Sequence, residues 1–279
     1  MTMDNIDKKE NMERSIIALV TDFGEEDYFT GSLKAVILGI NPSAQIVDIT
    51  HYIPSYDILS AAFVLFACYR YFPSRTIFLA IVDPGVGSLR RILGAKIKDY
   101  FFVAPDNGIL SLVIEQEKEV EVREVTNDNF FLPLLSRTFE GRDKMAPVAA
   151  WLSKGISIDK FGAQIKSYER LPIRKPEMDV DKEMIRGEIL YQDKFGNLIT
   201  NIPSTMLEDL KAKTGKRRIT LFVKGNEVST FKENYSEARK GELLFLVGSI
   251  GLIEIARRED SAARLIGARK GEEVKIIFS

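Results

Sequence analysis

From Thr76 to Ile81 the chain carries Thr-Ile-Phe-Leu-Ala-Ile, a run of β-branched and aromatic residues that continues apolar into Val82. A short stretch of β-branched and aromatic residues of this kind reads as a strand buried on both faces, as in a sheet covered by helices. It leads into Asp83-Pro84-Gly85-Val86-Gly87, with Arg90 and Arg91 close behind. Proline and glycine forbid an immediate helix and let the backbone turn tightly. Open α/β sheets bind ligands at the carboxyl ends of their strands, which is where Asp83 would stand. A strand-end turn closed by a surface ion pair explains the same residues equally well. What favours a site is repetition: Thr21-Asp22-Phe23-Gly24, Pro105-Asp106-Asn107-Gly108 and Gly141-Arg142-Asp143 punctuate other predicted strand ends.

Around this strand the first half alternates. Ser15–Val20 reads as a strand, Phe29–Ile40 as a helix stopped by Asn41-Pro42, Gln45–Ile49 as a strand and Tyr56–Tyr71 as an apolar helix. Two more strands are predicted at Leu93–Ile97 and Tyr100–Ala104, and Asp143 is placed to cap a helix over Lys144–Ser153. Alternating strands and helices indicate an α/β domain with a largely parallel sheet, expected over residues 15–165. Residues 166–182 hold Pro172, Pro176 and many charges with little periodicity, and read as a linker. Beyond them the texture changes to short strands at Ile185–Tyr191, Leu198–Ile202, Arg218–Val223, Leu243–Val247, Leu252–Ala256 and Val274–Phe278. That spacing predicts a smaller, all-β, barrel-like domain over residues 183–279.

Composition excludes several classes. A formal charge of -1 offers no electrostatic case for nucleic acid or an anionic membrane. The charged arm 1–14 has no apolar core of a secretory signal and is expected to be disordered. The apolar run Ala61–Cys68 is too short to span a bilayer. One cysteine, Cys68, cannot form an intrachain disulfide, suits a reducing, cytoplasmic compartment and reads as a buried small hydrophobe. With His51 the single histidine, any metal would need carboxylates and water.

Asp22 reads either as a turn residue or as a carboxylate accepting two hydrogen bonds from vicinal ribose hydroxyls. Asn107-Gly108 carries a turn signature, and Tyr56, at a helix start, reads as a core aromatic. In the second half, Asp193-Lys194-Phe195-Gly196-Asn197-Leu198-Ile199-Thr200-Asn201 is denser in polar groups than a hairpin needs. It is either turn chemistry or a stacking face beside a matched donor and acceptor, as an adenine edge requires. Ser249 and Gly251 invite the same two readings.

Taken in order, these stations, with Asp48-Ile49-Thr50-His51 among them, resemble the S-adenosylmethionine hydrolases (adenosine-forming), also called S-adenosylmethionine hydroxide adenosyltransferases, relatives of the fluorinases and chlorinases. The resemblance runs from about Ile16 to the C-terminus. It implies an α/β domain, a C-terminal β-barrel and a homotrimer whose active sites lie at subunit boundaries. It implies attack of water or hydroxide on the ribose C5′ of S-adenosylmethionine, releasing adenosine and methionine with no metal or redox cofactor. Asp22 would hold the ribose with Tyr56 beside the sugar, and Asp27 and Asp193 would approach the methionine amine. Phe195 and Asn197 would take the adenine, helped by Ser249, Glu254 and Arg257. Asp83 and Arg90 match two members of the family's catalytic triad. The third is a histidine within Thr-Phe-His-Gly-Arg-Asp, where this chain reads Thr138-Phe139-Glu140-Gly141-Arg142-Asp143. Glu140 would then accept the proton, provided burial raises its pKa toward neutral. Three other readings stand beside this one: a halogenase of the same architecture, a non-catalytic adenosine or S-adenosylmethionine sensor, and a carboxylate-metal hydrolase built from Asp22, Asp83 and Asp106.

Overall fold

A computed structural model describes residues 15–133 and 136–279, so the arm expected to be disordered, 1–14, lies outside the described residues. The chain divides into two compact units, with the boundary between Leu171 and Pro172.

The first unit is built on a six-stranded sheet. Its strands are β1 (Ile16–Thr21), β2 (Gln45–Thr50), β3 (Ile77–Ile81), β4 (Ile92–Ile97), β5 (Tyr100–Pro105) and β6 (Val120–Glu124), in the order β2-β1-β3-β5-β4-β6. The pairs β2/β1, β1/β3 and β3/β5 are parallel, while β4 runs antiparallel to both β5 and β6. Alternation along the strands divides the core. Ala18, Val20, Phe78, Ala80 and Val82 face one layer with Ala61 and Leu65 of helix α2 (Ile58–Cys68). Ile17, Leu19, Ile77, Leu79 and Ile81 face the other, with Leu33 and Ile37 of α1 (Tyr28–Ile40). Two covered faces are what an unbroken apolar strand demands, and the run 77–82 is accounted for. The short helix α3 (Ser111–Gln116) adds Val113 and Ile114 to the α2 layer.

Two helix starts lie two residues beyond the predicted ones. The helix expected from Tyr56 begins at Ile58, because the Asp57 carboxylate accepts from the Ser60 amide and caps it. Asp143 caps nothing. A single wide turn of π-helix, Gly141–Met145, runs directly into α4 (Ala146–Ser153), and the Asp143 amide already donates to the Phe139 carbonyl. Pro147 has no N–H to return to the Asp143 carbonyl, which instead accepts from the Leu132 amide at 2.9 Å. The Asp143 side chain pairs with Arg142 at 2.6 Å.

In the second unit every strand pair is antiparallel. The strands are β7 (Glu177–Asp179), β8 (Met184–Gln192), β9 (Leu198–Pro203), β10 (Ile219–Val223), β11 (Asn226–Val228), β12 (Leu243–Val247), β13 (Leu252–Arg257) and β14 (Glu273–Phe278). The order is β11-β10-β14-β8-β9-β13-β12, with β7 alongside β8. The two ends of that path approach each other. Just past β11, Thr230 and Lys232 bond to Phe245 of β12, which brings the sheet close to a closed barrel. β7 falls within the stretch read as linker. Helix α5 (Ser204–Thr214) had no counterpart in the sequence reading, since it buries only Leu207 and Leu210 and shows little apolar stripe. A five-residue helix, α6 (Ala262–Ile266), is capped by Ser261.

Candidate active site

Parallel register aligns the strand ends of the first unit. Thr21 of β1 pairs with Ile81 of β3, and Val20 with Thr50 of β2, so Asp22, Asp83 and His51 emerge along one carboxyl edge. Asp83 is met there by Arg90. The guanidinium Nε lies 2.9 and 2.8 Å from the two carboxylate oxygens and Nη2 lies 2.5 Å from Oδ2. The turn that brings Arg90 back requires Gly87, which has φ +79° and whose added Cβ would stand 2.9 Å from the Arg137 carbonyl oxygen.

Glu140, entering the π-turn, closes the cluster from the other side. Its Oε2 lies 2.5 Å from Arg90 Nη2, off the alignment of a hydrogen bond, so this contact is an ion pair. Its Oε1 accepts from Lys144 Nζ at 2.5 Å. The side chains of Asp83, Arg90 and Glu140 are 6%, 10% and 5% exposed, so the charges compensate one another largely out of water. Burial by itself pushes the Glu140 carboxyl up. The hydrogen bond from Lys144 and the charge of Arg90 outweigh it, and the pKa lies below the ordinary glutamate value. The expectation of a raised pKa is therefore corrected: Glu140 is an ionised acceptor, poorly suited to storing a proton at neutral pH.

Asp22 is held differently. Its Oδ2 accepts from the Tyr56 amide at 3.0 Å. Tyr56 adopts φ +67°, a costly conformation for a tyrosine, and its ring is exposed. Burial raises the Asp22 pKa, the Tyr56 amide opposes that rise, and the charge of Asp83 adds to it. Beneath this loop His51 is buried, with Nδ1 2.8 Å from the Thr21 hydroxyl and Nε2 3.0 Å from Asp48, which also pairs with Lys34. Phe139 packs edge-on against Phe23 and Phe29, which ties the Asp22 loop to the segment that carries Glu140. Asp27 stands exposed at the start of α1, with no capping bond from its side chain.

The neighbouring station has a buttressing role. Asn107 Nδ2 donates to the Val82 carbonyl at 2.8 Å, pinning the backbone just before Asp83. Asp106 accepts from Arg91 Nε at 2.8 Å and from the Glu169 amide. Asp83 and Asp106 are thus each committed to an arginine. Among the described residues no group of three His, Cys, Asp or Glu side chains could hold a metal ion.

Within the second unit Asp193 organises its own loop. Oδ1 accepts from the Phe195 and Asn197 amides and Oδ2 from Asn197 Nδ2, each at 2.9 Å. Gly196 completes the turn with φ +85°, against Ser261. Phe195 is 66% exposed, whereas Asn197 is buried. Glu254 of β13 is buried and accepts from the Tyr235 hydroxyl at 2.5 Å. Burial raises its pKa, the Tyr235 bond works against this, and the nearby charge of Asp193 adds to it. Gly248 packs on Glu254, and Ser249 follows it in the turn between β12 and β13. Arg257 is not brought to this group. Three residues along β13 from Glu254, it points to the opposite side of the strand and bonds Asp260 and the Gly241 carbonyl.

Two residues were missed. Lys144 was legible, since Glu140-x-x-x-Lys144 has the spacing of a helical ion pair. Tyr235 gave no signal, because only the barrel brings it to Glu254.

Comparison with known proteins places the chain in a family. The N-terminal domain of SAM hydroxide adenosyltransferase matches residues 17–162, and the C-terminal domain of the same family matches 187–275. An (R)-S-adenosyl-L-methionine hydrolase from Thermus thermophilus is 30% identical, over 94% of this chain and 99% of its own length. A fluorinase from Nocardia brasiliensis is 27% identical, over 95% and 98%. A crystal structure of an uncharacterized conserved protein from Thermotoga maritima superimposes with a TM-score of 0.85 at 38% identity, covering 94% of this chain and 99% of that one. Both halves match in order and over nearly their whole length: this chain belongs to the SAM hydroxide adenosyltransferase family.

Proposed function

We propose that the protein hydrolyses S-adenosyl-L-methionine to adenosine and L-methionine by attack of water on the ribose C5′. The observation that carries this reading is the Asp83–Arg90–Glu140 cluster at the carboxyl edge of the parallel sheet, one strand from Asp22. Asp22 grips the ribose hydroxyls with Tyr56 beside the sugar. Asp27 and Asp193 meet the methionine amine, and Phe195, Asn197, Ser249 and Glu254 receive the adenine. Arg257 would have to leave Asp260 to help them. Subunits assemble as a homotrimer in the cytoplasm, each site completed by a neighbour.

The chemistry asks little of a base. The departing thioether is neutral, so the sulfonium charge is spread toward the attacking oxygen in the transition state, and a site shielded from water favours the dispersed charge. The oxygen that attacks carbon becomes strongly acidic as the bond forms, and gives its proton to a nearby carboxylate or to water. Arg90 donates to the oxygen and holds it in place, while ionised Asp83 and Glu140 orient the guanidinium and stabilise the positive charge that develops on the oxygen before its proton leaves. Holding the oxygen, C5′ and sulfur in line supplies about 7 kcal/mol or more.

Purified protein incubated with S-adenosylmethionine should release adenosine, followed by chromatography, and Asp83→Ala and Arg90→Ala should each lose about 100-fold or more. No adenosine from the parent protein, or full activity in both variants, would overturn the reading. The fluorinase relative motivates a halide arm: a 5′-halo-nucleoside formed with added fluoride or chloride would reassign the nucleophile. Two carboxylates flanking Arg90 argue against an anion there.

A further inference from the structure

The four side chains Asp83, Arg90, Glu140 and Lys144 alternate in charge, and their contacts leave one part of Arg90 uncommitted. Asp83 takes Nε and Nη2, and Glu140 Oε2 takes Nη2. Nη1 has no partner among the described residues. Glu140 reaches Arg90 with one oxygen only, because Lys144 holds the other at 2.5 Å. We propose that Lys144 is a positioning residue for the reaction, holding Glu140 away from the outer edge of Arg90 so that Nη1 stays free to donate to the nucleophile.

The physical argument turns on the geometry of a guanidinium. A carboxylate beside its Nη1–Nη2 edge prefers to bond both nitrogens at once, in parallel. Glu140 already stands at Nη2 and is 5% exposed. Freed of Lys144, it would rotate onto that edge and occupy the donor. Lys144 is itself restrained. It belongs to the π-turn, one turn after Glu140, and its ammonium lies 5.8 Å from the centre of the Phe131 ring. The charged groups facing Glu140 are Lys144 on its own turn and Arg90 from the loop after β3, with Asp83 behind Arg90 and Asp22 beyond it. Lys144 thus balances the negative charge that Glu140 brings to the cluster.

This inference rests on the proposed hydrolysis. The test compares Lys144→Met, Lys144→Arg, Glu140→Gln and the double variant Glu140→Gln/Lys144→Met, each checked for folding by Trp151 fluorescence. Lys144→Met should lower kcat about tenfold with KM unchanged, Lys144→Arg should restore it, and in the Glu140→Gln background loss of the lysine should change nothing further. The acid limb of the kcat profile should move to higher pH in Lys144→Met. A fall confined to KM, an unmoved acid limb, or the same loss with and without Glu140 would overturn the inference. Carboxyl NMR of selectively labelled Glu140 in ligand-free protein separates the two claims. If the parent protein makes no adenosine, hydrolysis fails. A Glu140 titration that is identical with and without Lys144 refutes the positioning role by itself.

Discussion

Replacing Arg90 by methionine keeps the apolar stem and removes the charge that Asp83 depends on. Glu140 retains Lys144, so the orphan is Asp83, whose side chain is 6% exposed and which already feels the charge of Asp22. Removing one partner of a buried ion pair costs about 3–5 kcal/mol. The lower end applies here, because the two side chains keep 10% and 6% exposure and are not wholly shut off from water. At a typical urea dependence of about 2 kcal/mol per molar, a loss of about 3 kcal/mol moves the unfolding midpoint down by about 1.5 M. The single tryptophan, Trp151, lies in α4, directly after the π-turn, so its fluorescence follows the unit that holds the network. The pH dependence carries the sharper signature. In the parent protein Glu140 has a pKa below its ordinary 4.5, so its stabilisation is present above that value and is lost as the pH falls through the lowered one. In Arg90→Met this acid dependence weakens, because Glu140 loses the Arg90 charge that helps to hold its pKa down. A loss under about 1 kcal/mol with an unchanged slope would refute the claim that these charges compensate one another out of water.

In the second unit, Glu254→Gln should stabilise the protein at neutral pH. The raised pKa means that the parent gains stability as the pH falls through that value toward the ordinary glutamate range, and urea unfolding of the variant should lack this gain. Tyr235→Phe removes the donor to the same carboxylate and should cost about 1–3 kcal/mol by the same assay. Gly196→Ala places a Cβ 2.1 Å from the Ser261 hydroxyl at φ +85°, so it should lose about 2 kcal/mol or more and loosen the Phe195–Asn197 loop, seen as weakened adenosine binding. Burial pushes the Cys68 thiol up to about 11, so disulfide reagents at pH 8 should label it only when the protein is unfolded.

Much of this molecule is legible in the residues alone. The apolar run 77–82 required a sheet covered on both sides, and the change from alternating helices to short strands near Lys166 marked two textures of chain. Those are local properties, set by side-chain period and turn chemistry, and they carry through to β1–β5 and to the barrel. The acidic strand ends could be listed in the same way, because a parallel sheet delivers every strand terminus to one edge. What local chemistry left open was whether each carboxylate stood alone. Asp83 and Arg90 are seven residues apart and fold back on each other, but Glu140 reaches them from another segment, through the packing of Phe139 on Phe23 and Phe29. Its protonation was misjudged for that reason. Burial is visible in a sequence as hydrophobic context; of the two cations that outweigh it, Lys144 stands at helical spacing from Glu140, whereas Arg90 is brought there by tertiary structure. Tyr235 on Glu254 and Arg257 turned away from it are of the same kind: spacing along the chain says which way a strand residue points, and only the closed barrel says what waits there.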